Sequence, residues 1–122
     1  MPVRTFVLHG EPTGCGKNSV KTTRTGRRYP NPLFEDWKEK CQMQIFTQLK
    51  RRTVWTGPIY LVVHYYPANR RVRDATAILD GIFHVLEYTR LIEDDKQIKG
   101  ILYNEYHIDK KSPRIEVELQ TL

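Results

Sequence analysis

Arginines at positions 70, 71 and 73 run directly into a carboxylate, Asp74, and further along the chain three acids stand in a row, Glu93, Asp94 and Asp95. Cations beside clustered carboxylates are what an enzyme needs if it must hold a phosphate backbone and also bind a divalent metal to attack it. The same charges would also suit solvated loops at two helix ends. Between them, Ala75, Ile78, Leu79, Ile82, Phe83 and Leu86 form one apolar stripe, leaving Thr76, Asp80 and His84 at i, i+4 and i+8 on another face. That pattern predicts a helix over 74–87. Its length would let the chain leave one acid at the end of a strand and return the second acid cluster to the same neighbourhood. Gly81 costs a helix about 1 kcal/mol relative to Ala, which suggests a close approach by another backbone, such as that of a second subunit. Asp80 with His84 reads either as an i, i+4 metal pair or as an exposed hydrogen-bonded pair.

The elements that must carry these residues follow from periodicity. Thr5–His9 reads as a first strand stopped by Gly10. The stretch from Gly10 to Pro32 is rich in Gly, Pro, Thr and Asn and reads as a long loop, with Lys17, Lys21, Arg24, Arg27 and Arg28 opposed only by Glu11. Such a loop has the character of a nucleic-acid arm. Its segment PTGCGKNS invites comparison with a P-loop, but the first glycine of that motif falls on Glu11 and the magnesium-binding hydroxyl on Asn18. A mobile loop that brings Gly14, Gly16 and Lys17 close to a phosphate is the better reading. Residues 33–52 predict a helix on Phe34, Trp37, Cys41, Ile45 and Leu49, with acids early and bases late as the helix dipole prefers. Ile59–Tyr66 predicts a central strand, with Ile59, Leu61, Val63 and Tyr65 on one face and His64 on the other. Ile98–His107 and Arg114–Leu119 predict a closing hairpin whose Glu116 and Glu118 face water.

The chain's 122 residues, 39% hydrophobic, suit one domain with one core. Its net charge of +6 is unevenly spread. Residues 1–73 hold 14 Lys/Arg against 4 Asp/Glu, a balance of +10; residues 74–122 hold 6 against 10, a balance of −4. A polyanion-binding part joined to an acidic, metal-binding part would look like this. Cys15 and Cys41 make no disulfide framework or zinc spacing, so a reduced, cytoplasmic protein is expected. No stretch approaches a membrane span or a signal peptide.

Taken in order, the strand, basic loop, helix, strand, Arg-rich turn, acid, helix, acid pair and final strands resemble the RusA family of Holliday junction resolvases of bacteria and their phages. The most specific part is R-x-R-D at Arg71–Asp74, followed by Leu91-Ile92-Glu93-Asp94-Asp95-Lys96-Gln97-Ile98. The family pattern is a basic run, D-x-D-N-x-x-K opening a helix, then an apolar-D-D-x-Q-V/I segment. The last segment matches with Asp94, Asp95, Gln97 and Ile98 in place. In the first, Asp74 is retained, but Thr76, Ala77 and Asp80 stand where the family has Asp, Asn and Lys.

The resemblance implies a single α/β (α+β) domain over residues 1–122, with a mixed, mostly antiparallel sheet of about four strands packed with two main helices. It implies a Mg2+-dependent endonuclease, with Mn2+ as a substitute, acting on four-way DNA junctions as a homodimer, with no nucleotide cofactor. Asp74, Asp95 and Asp94 become the metal carboxylates, and Asp74, Asp95 and Asp80 the catalytic acids, Asp80 replacing the carboxylate lost at Thr76. Lys17, Arg27, Arg28, Arg70, Arg71, Arg73 and Lys96 become the DNA contacts. The competing expectation is a protein that keeps the junction-binding surface and has lost cleavage.

Overall fold

The computed structural model describes residues 2–122. The chain runs β1 (Val3–His9), β2 (Val20–Thr22), β3 (Arg28–Pro30), α1 (Pro32–Gln48), β4 (Ile59–Tyr66), α2 (Ala75–Tyr88), β5 (Ile98–Glu105) and β6 (Arg114–Thr121). Two short 3-10 turns, Gly16–Ser19 and Asp95–Gln97, precede β2 and β5. Four strands form a mixed sheet in the order β1-β6-β4-β5, and β2 with β3 forms a separate ribbon. This is the α+β arrangement with two main helices that the sequence predicted.

β4 is apolar on nearly every residue because it is central: Ile59, Leu61, Val63 and Tyr65 are fully buried. It pairs with β5 in parallel and with β6 in antiparallel. Parallel neighbours cannot be joined by a tight turn, so α2 is the crossover between them. The expected closing hairpin does not form. β6 instead lies between β1 and β4, pairing with both. The reason is its burial: Ile115, Val117 and Leu119 are buried to within 2%, whereas Ile101 and Leu102 of β5 are over 40% exposed. The strand with the drier face takes the interior position and β5 becomes the edge.

The opposite edge is covered. Gln48 of α1 accepts from the Val7 N–H at 2.7 Å and donates to the Val7 carbonyl at 2.6 Å. Gln44 accepts from the His9 N–H at 2.6 Å. Two helix amides thus satisfy the free backbone of β1, which would otherwise invite another strand. α1 starts on Asn31, whose side chain accepts from the Leu33 N–H, with Pro32 in the first turn. It ends at Gln48, short of the predicted Arg52, because Arg52 turns back to donate to the Leu49 carbonyl at 2.8 Å.

Gly81 of α2 is needed by a neighbour in the same chain, not by a second subunit. A Cβ there would lie 2.5 Å from Cys15 Sγ and 3.3 Å from the Trp37 ring. Helix propensity alone would favour Gly81→Ala by about 1 kcal/mol, but overpacking of a tight contact costs about 1–3 kcal/mol. Gly81→Ala is therefore expected to lower the thermal midpoint, and Cys15→Ala is expected to recover most of that loss in the double variant. Additive effects of the two substitutions in calorimetry would contradict this contact.

Candidate active site

The arginine turn is built on Asn69. Its side-chain oxygen accepts from the Arg71 N–H and from Arg73 Nη2, each at 3.0 Å. Arg73 also donates to the Asn69 carbonyl at 3.0 Å and pairs with Glu11 at 3.2 Å, leaving its side chain only 13% exposed. Arg73 is thus structural in its contacts, which departs from its expected place among the free DNA-facing cations. Arg70 and Arg71 are exposed and, among the described residues, pair with no carboxylate.

Glu11 binds three groups at once: the Tyr65 hydroxyl and the Ala68 N–H donate to it, and Arg73 pairs with it. This carboxylate ties the end of β1 to the end of β4 and to the turn that delivers Asp74. Burial, then the hydrogen bond to Glu11, pushes the Tyr65 phenol well above its ordinary range.

Asp74 is the N-cap of α2, one carboxylate oxygen accepting from the Thr76 N–H at 2.9 Å. An acid suits this place, since it meets both an orphan N–H and the positive end of the helix dipole. Asp80 lies within the helix beside His84 Nε2 at 3.6 Å, both half exposed. Its contact is this lateral pair, and it reaches neither Asp74 nor Asp95, contrary to the expected inward carboxylate.

Beyond α2, Arg90 takes a left-handed conformation (φ 61°) and turns the chain under buried Leu91 and Ile92. Asp94 then caps the turn that holds Asp95, accepting from the Lys96 N–H at 2.7 Å. Gln97 accepts from the N–H groups of Glu93 and Asp94 and donates to the carbonyls of Trp55 and Gly57. The glutamine therefore pins the acidic turn to the sheet. The Lys96 N–H, aided by a hydrogen bond to Asp95, holds the Asp94 carboxyl below its usual range.

The Asp95 N–H donates to Glu87 Oε1 at 2.9 Å. Carboxylate oxygens of Glu87, Asp94 and Asp95 lie within 4.8 Å of one another. An all-oxygen set of three acids fits a hard divalent cation such as Mg2+ or Mn2+. Glu87 was not singled out from the sequence. The available signal was its position, since an acid in the last turn of a helix opposes the dipole and calls for another reason to be there.

The helix that joins these acids also separates them. Asp74 is at its start and Glu87 in its last turn, about 20 Å apart at 1.5 Å per residue. The expectation that one chain brings Asp74 and Asp95 together is therefore overturned.

The expected DNA contacts lie on the other side of Asp74. Lys17 is exposed on the first 3-10 turn, and Arg27 and Arg28 are exposed on the β2–β3 ribbon. The predicted loop is here an ordered hairpin, closed by Thr23, whose N–H donates to the Arg27 carbonyl and whose hydroxyl accepts from the Arg27 N–H. Gly14 and Gly16 are left-handed, and a Cβ on Gly16 would come within 2.7 Å of Ala77 Cβ. Gly16 seats the segment against Ala77 of α2, and Gly14 seats it against Asn31 and Phe34 at the start of α1. Lys96 stands exposed beside Asp94 and Asp95. A cleft of about 570 Å³ opens between the glycine segment and the arginine turn, bordered by Lys21, Arg71 and Asp74.

A cation-lined cleft, an N-capping aspartate and a distal acid trio are thus joined by one crossover helix. A family model described as endodeoxyribonuclease RusA matches residues 9–120. The chain belongs to the RusA family. No curated protein matches the chain significantly. RusA membership makes it an endodeoxyribonuclease by family. Among the described residues, no helix is long and apolar enough to cross a membrane.

Glu11→Ala would strand the Tyr65 hydroxyl, the Ala68 N–H and the Arg73 guanidinium; about 1–3 kcal/mol of stability is expected to be lost. Urea denaturation should show a lower midpoint with an unchanged slope. Because the folded Tyr65 phenol titrates above its unfolded value near 10, its stabilisation is full below pH ~10 and declines as pH rises further. Tyr65→Phe should flatten that alkaline decline.

Proposed function

We propose that this protein is a Mg2+-dependent, structure-selective endonuclease that cuts four-way DNA junctions as a homodimer, each active site drawing acids from both copies. The observation that carries this reading is the placement of Asp74 and of the Glu87, Asp94, Asp95 trio at opposite ends of α2. Antiparallel association of two such helices lays the start of one beside the end of the other.

The sheet supports that association. β5 is its uncovered edge, beginning directly after the turn that holds Asp95 and ending beside β4, where the Tyr106 N–H donates to the Tyr65 carbonyl. If β5 pairs antiparallel with β5 of a second copy about Leu102, Ile101 faces the partner's Tyr103 and Lys99 faces the partner's Glu105. Both pairs repeat by symmetry, which is what a two-fold interface requires. Ile101 and Leu102, 42% and 43% exposed, become covered. On α2, Gly81 and Ala77 face α1 and the glycine segment. Leu79 and Phe83 of the same helix are half-buried and pack against the core, leaving apolar surface that a second helix could cover.

In such a dimer Asp74 of one copy meets Asp94 and Asp95 of the other. These carboxylates would hold the cation, which when bound would acidify a water and stabilise charge on the leaving oxygen. Arg70, Arg71, Lys17, Arg27 and Arg28 would grip phosphates and set the register of the DNA, and Lys96 would stand over the acids in place of the family lysine that Asp80 has replaced. Two sites related by a two-fold axis match a junction that must be cut on two opposed strands. The setting is the cytoplasm of a bacterium or a phage-infected cell.

Asp74→Asn and Asp95→Asn should each abolish Mg2+-dependent nicking of a labelled junction and leave binding intact. Mixing the two inactive proteins discriminates further. In a mixed dimer one site carries both substitutions and the other none, so about a quarter of wild-type nicking should return, half of randomly assembled dimers being mixed. A site contained in one chain predicts no recovery.

The interface has its own test in sedimentation. Lys99→Glu should shift the protein to monomer, and the double reversal Lys99→Glu with Glu105→Lys should restore the dimer. A dimer indifferent to both would refute pairing through β5.

A further inference from the structure

The cleft between the glycine segment and the arginine turn has a composition that phosphate contact alone does not call for. It combines apolar and polar surface, and its volume of about 570 Å³ lies within the range of roughly 300–1,000 Å³ usual for small-ligand sites. Val20, Leu33 and Ile78 supply apolar surface, while Asn18, Lys21 and Arg71 border the same space. Asp74 lies on its wall, so whatever occupies the cleft is adjacent to the phosphate to be cut.

The cleft is held open by fixed parts. Its back is the Glu11 network with Arg73 and the Ala68 N–H. Its other side is Asn31, 3% exposed, whose N–H and side-chain amide donate to the Ser19 and Asn18 carbonyls at 2.8 and 2.7 Å while its side-chain oxygen caps α1. By contrast, the Lys21, Arg71 and Asn18 side chains have no hydrogen-bond or ion-pair partner among the described residues, and so remain available to a ligand.

We propose that this cleft receives one unstacked nucleotide from the branch point of the DNA. The proposal rests on the junction-nuclease reading and names the part of the substrate that selects for a junction over a duplex. The base packs its face on Val20 and Leu33, its edge meets the Asn18 amide, and its phosphate is held by Lys21 and Arg71. Extruding a base costs least where stacking is already interrupted, as at a crossover, so the cleft favours branched over continuous DNA without reading sequence along an arm.

The test uses the full-length protein, a four-way junction carrying 2-aminopurine at the branch point, and EDTA so that no strand is cut. Binding of wild type should raise the 2-aminopurine fluorescence severalfold. Val20→Trp and Leu33→Trp fill the cleft from positions that are 40% and 60% exposed, so at least one should fold normally by circular dichroism. Either folded variant should give no fluorescence rise and should prefer the junction over duplex less than wild type does, while the cations outside the cleft still hold DNA. Binding by wild type without a fluorescence change overturns the proposal, as does a rise that persists in a folded, filled variant. Both outcomes leave the nuclease reading standing. Loss of metal-dependent nicking alone, with the fluorescence behaviour intact, would sink the nuclease reading and leave the cleft.

Discussion

The parallel pairing of β4 and β5 is the constraint on which the rest of this molecule depends. Two adjacent parallel strands require the chain to travel the length of the sheet between them, and a helix is the element that does so with its backbone satisfied. α2 is therefore obligatory, and so is the distance between what stands at its two ends. The acids before and after it are placed by the crossover itself, with Asp74 serving as the N-cap and Asp94 and Asp95 forming the turn that launches β5. In the proposed reading, the same residues that build the βαβ unit would carry the chemistry, leaving little freedom to alter one without the other.

Much of this was legible in one dimension. The strand β4 matches its predicted bounds because it is a continuous apolar run, and α2 matches to within a residue because its stripe is regular. The acid pair and the glutamine after it were visible as a motif, and Gln97 has a physical office in holding that turn to Trp55 and Gly57. What could not be seen was distance across the fold. A helix that leaves from one acid and arrives at another looks, in sequence, like a return; in space it is a departure. Strand order failed for a similar reason. β5 and β6 are consecutive and each reads as a strand, but which of them takes the interior depends on the burial of both faces and on β1, far away in the chain. Glu11, Gln44 and Gln48 were passed over because single polar residues in a loop or a helix carry no periodic signal.

The charge asymmetry acquires a geometry. Lys21 and Arg71 border the cleft at the end of α2 where Asp74 stands, while other exposed cations, Lys17, Arg27, Arg28 and Arg70, lie on the glycine segment, the ribbon and the arginine turn. The acid trio lies at the other end, accompanied by Lys96. In the proposed reading, a single copy would present to DNA an end that carries Asp74 among cations, with the acid trio at the opposite end of the helix. Arg73, the best buried of the arginines in the turn, is spent on Glu11 and shapes the cationic end instead of serving it.

That separation also explains how a copy can be assembled without self-repulsion and still work. Bringing Asp74 against the Asp94 and Asp95 of another copy sets like charges close together, which costs free energy unless a cation or neighbouring guanidinium groups compensate. In the shared-site reading, Arg70 and Arg71 arrive with Asp74, so part of that compensation comes with the approaching end, and a divalent ion supplies the rest. Association and metal binding would then favour each other, each lowering the cost of the other.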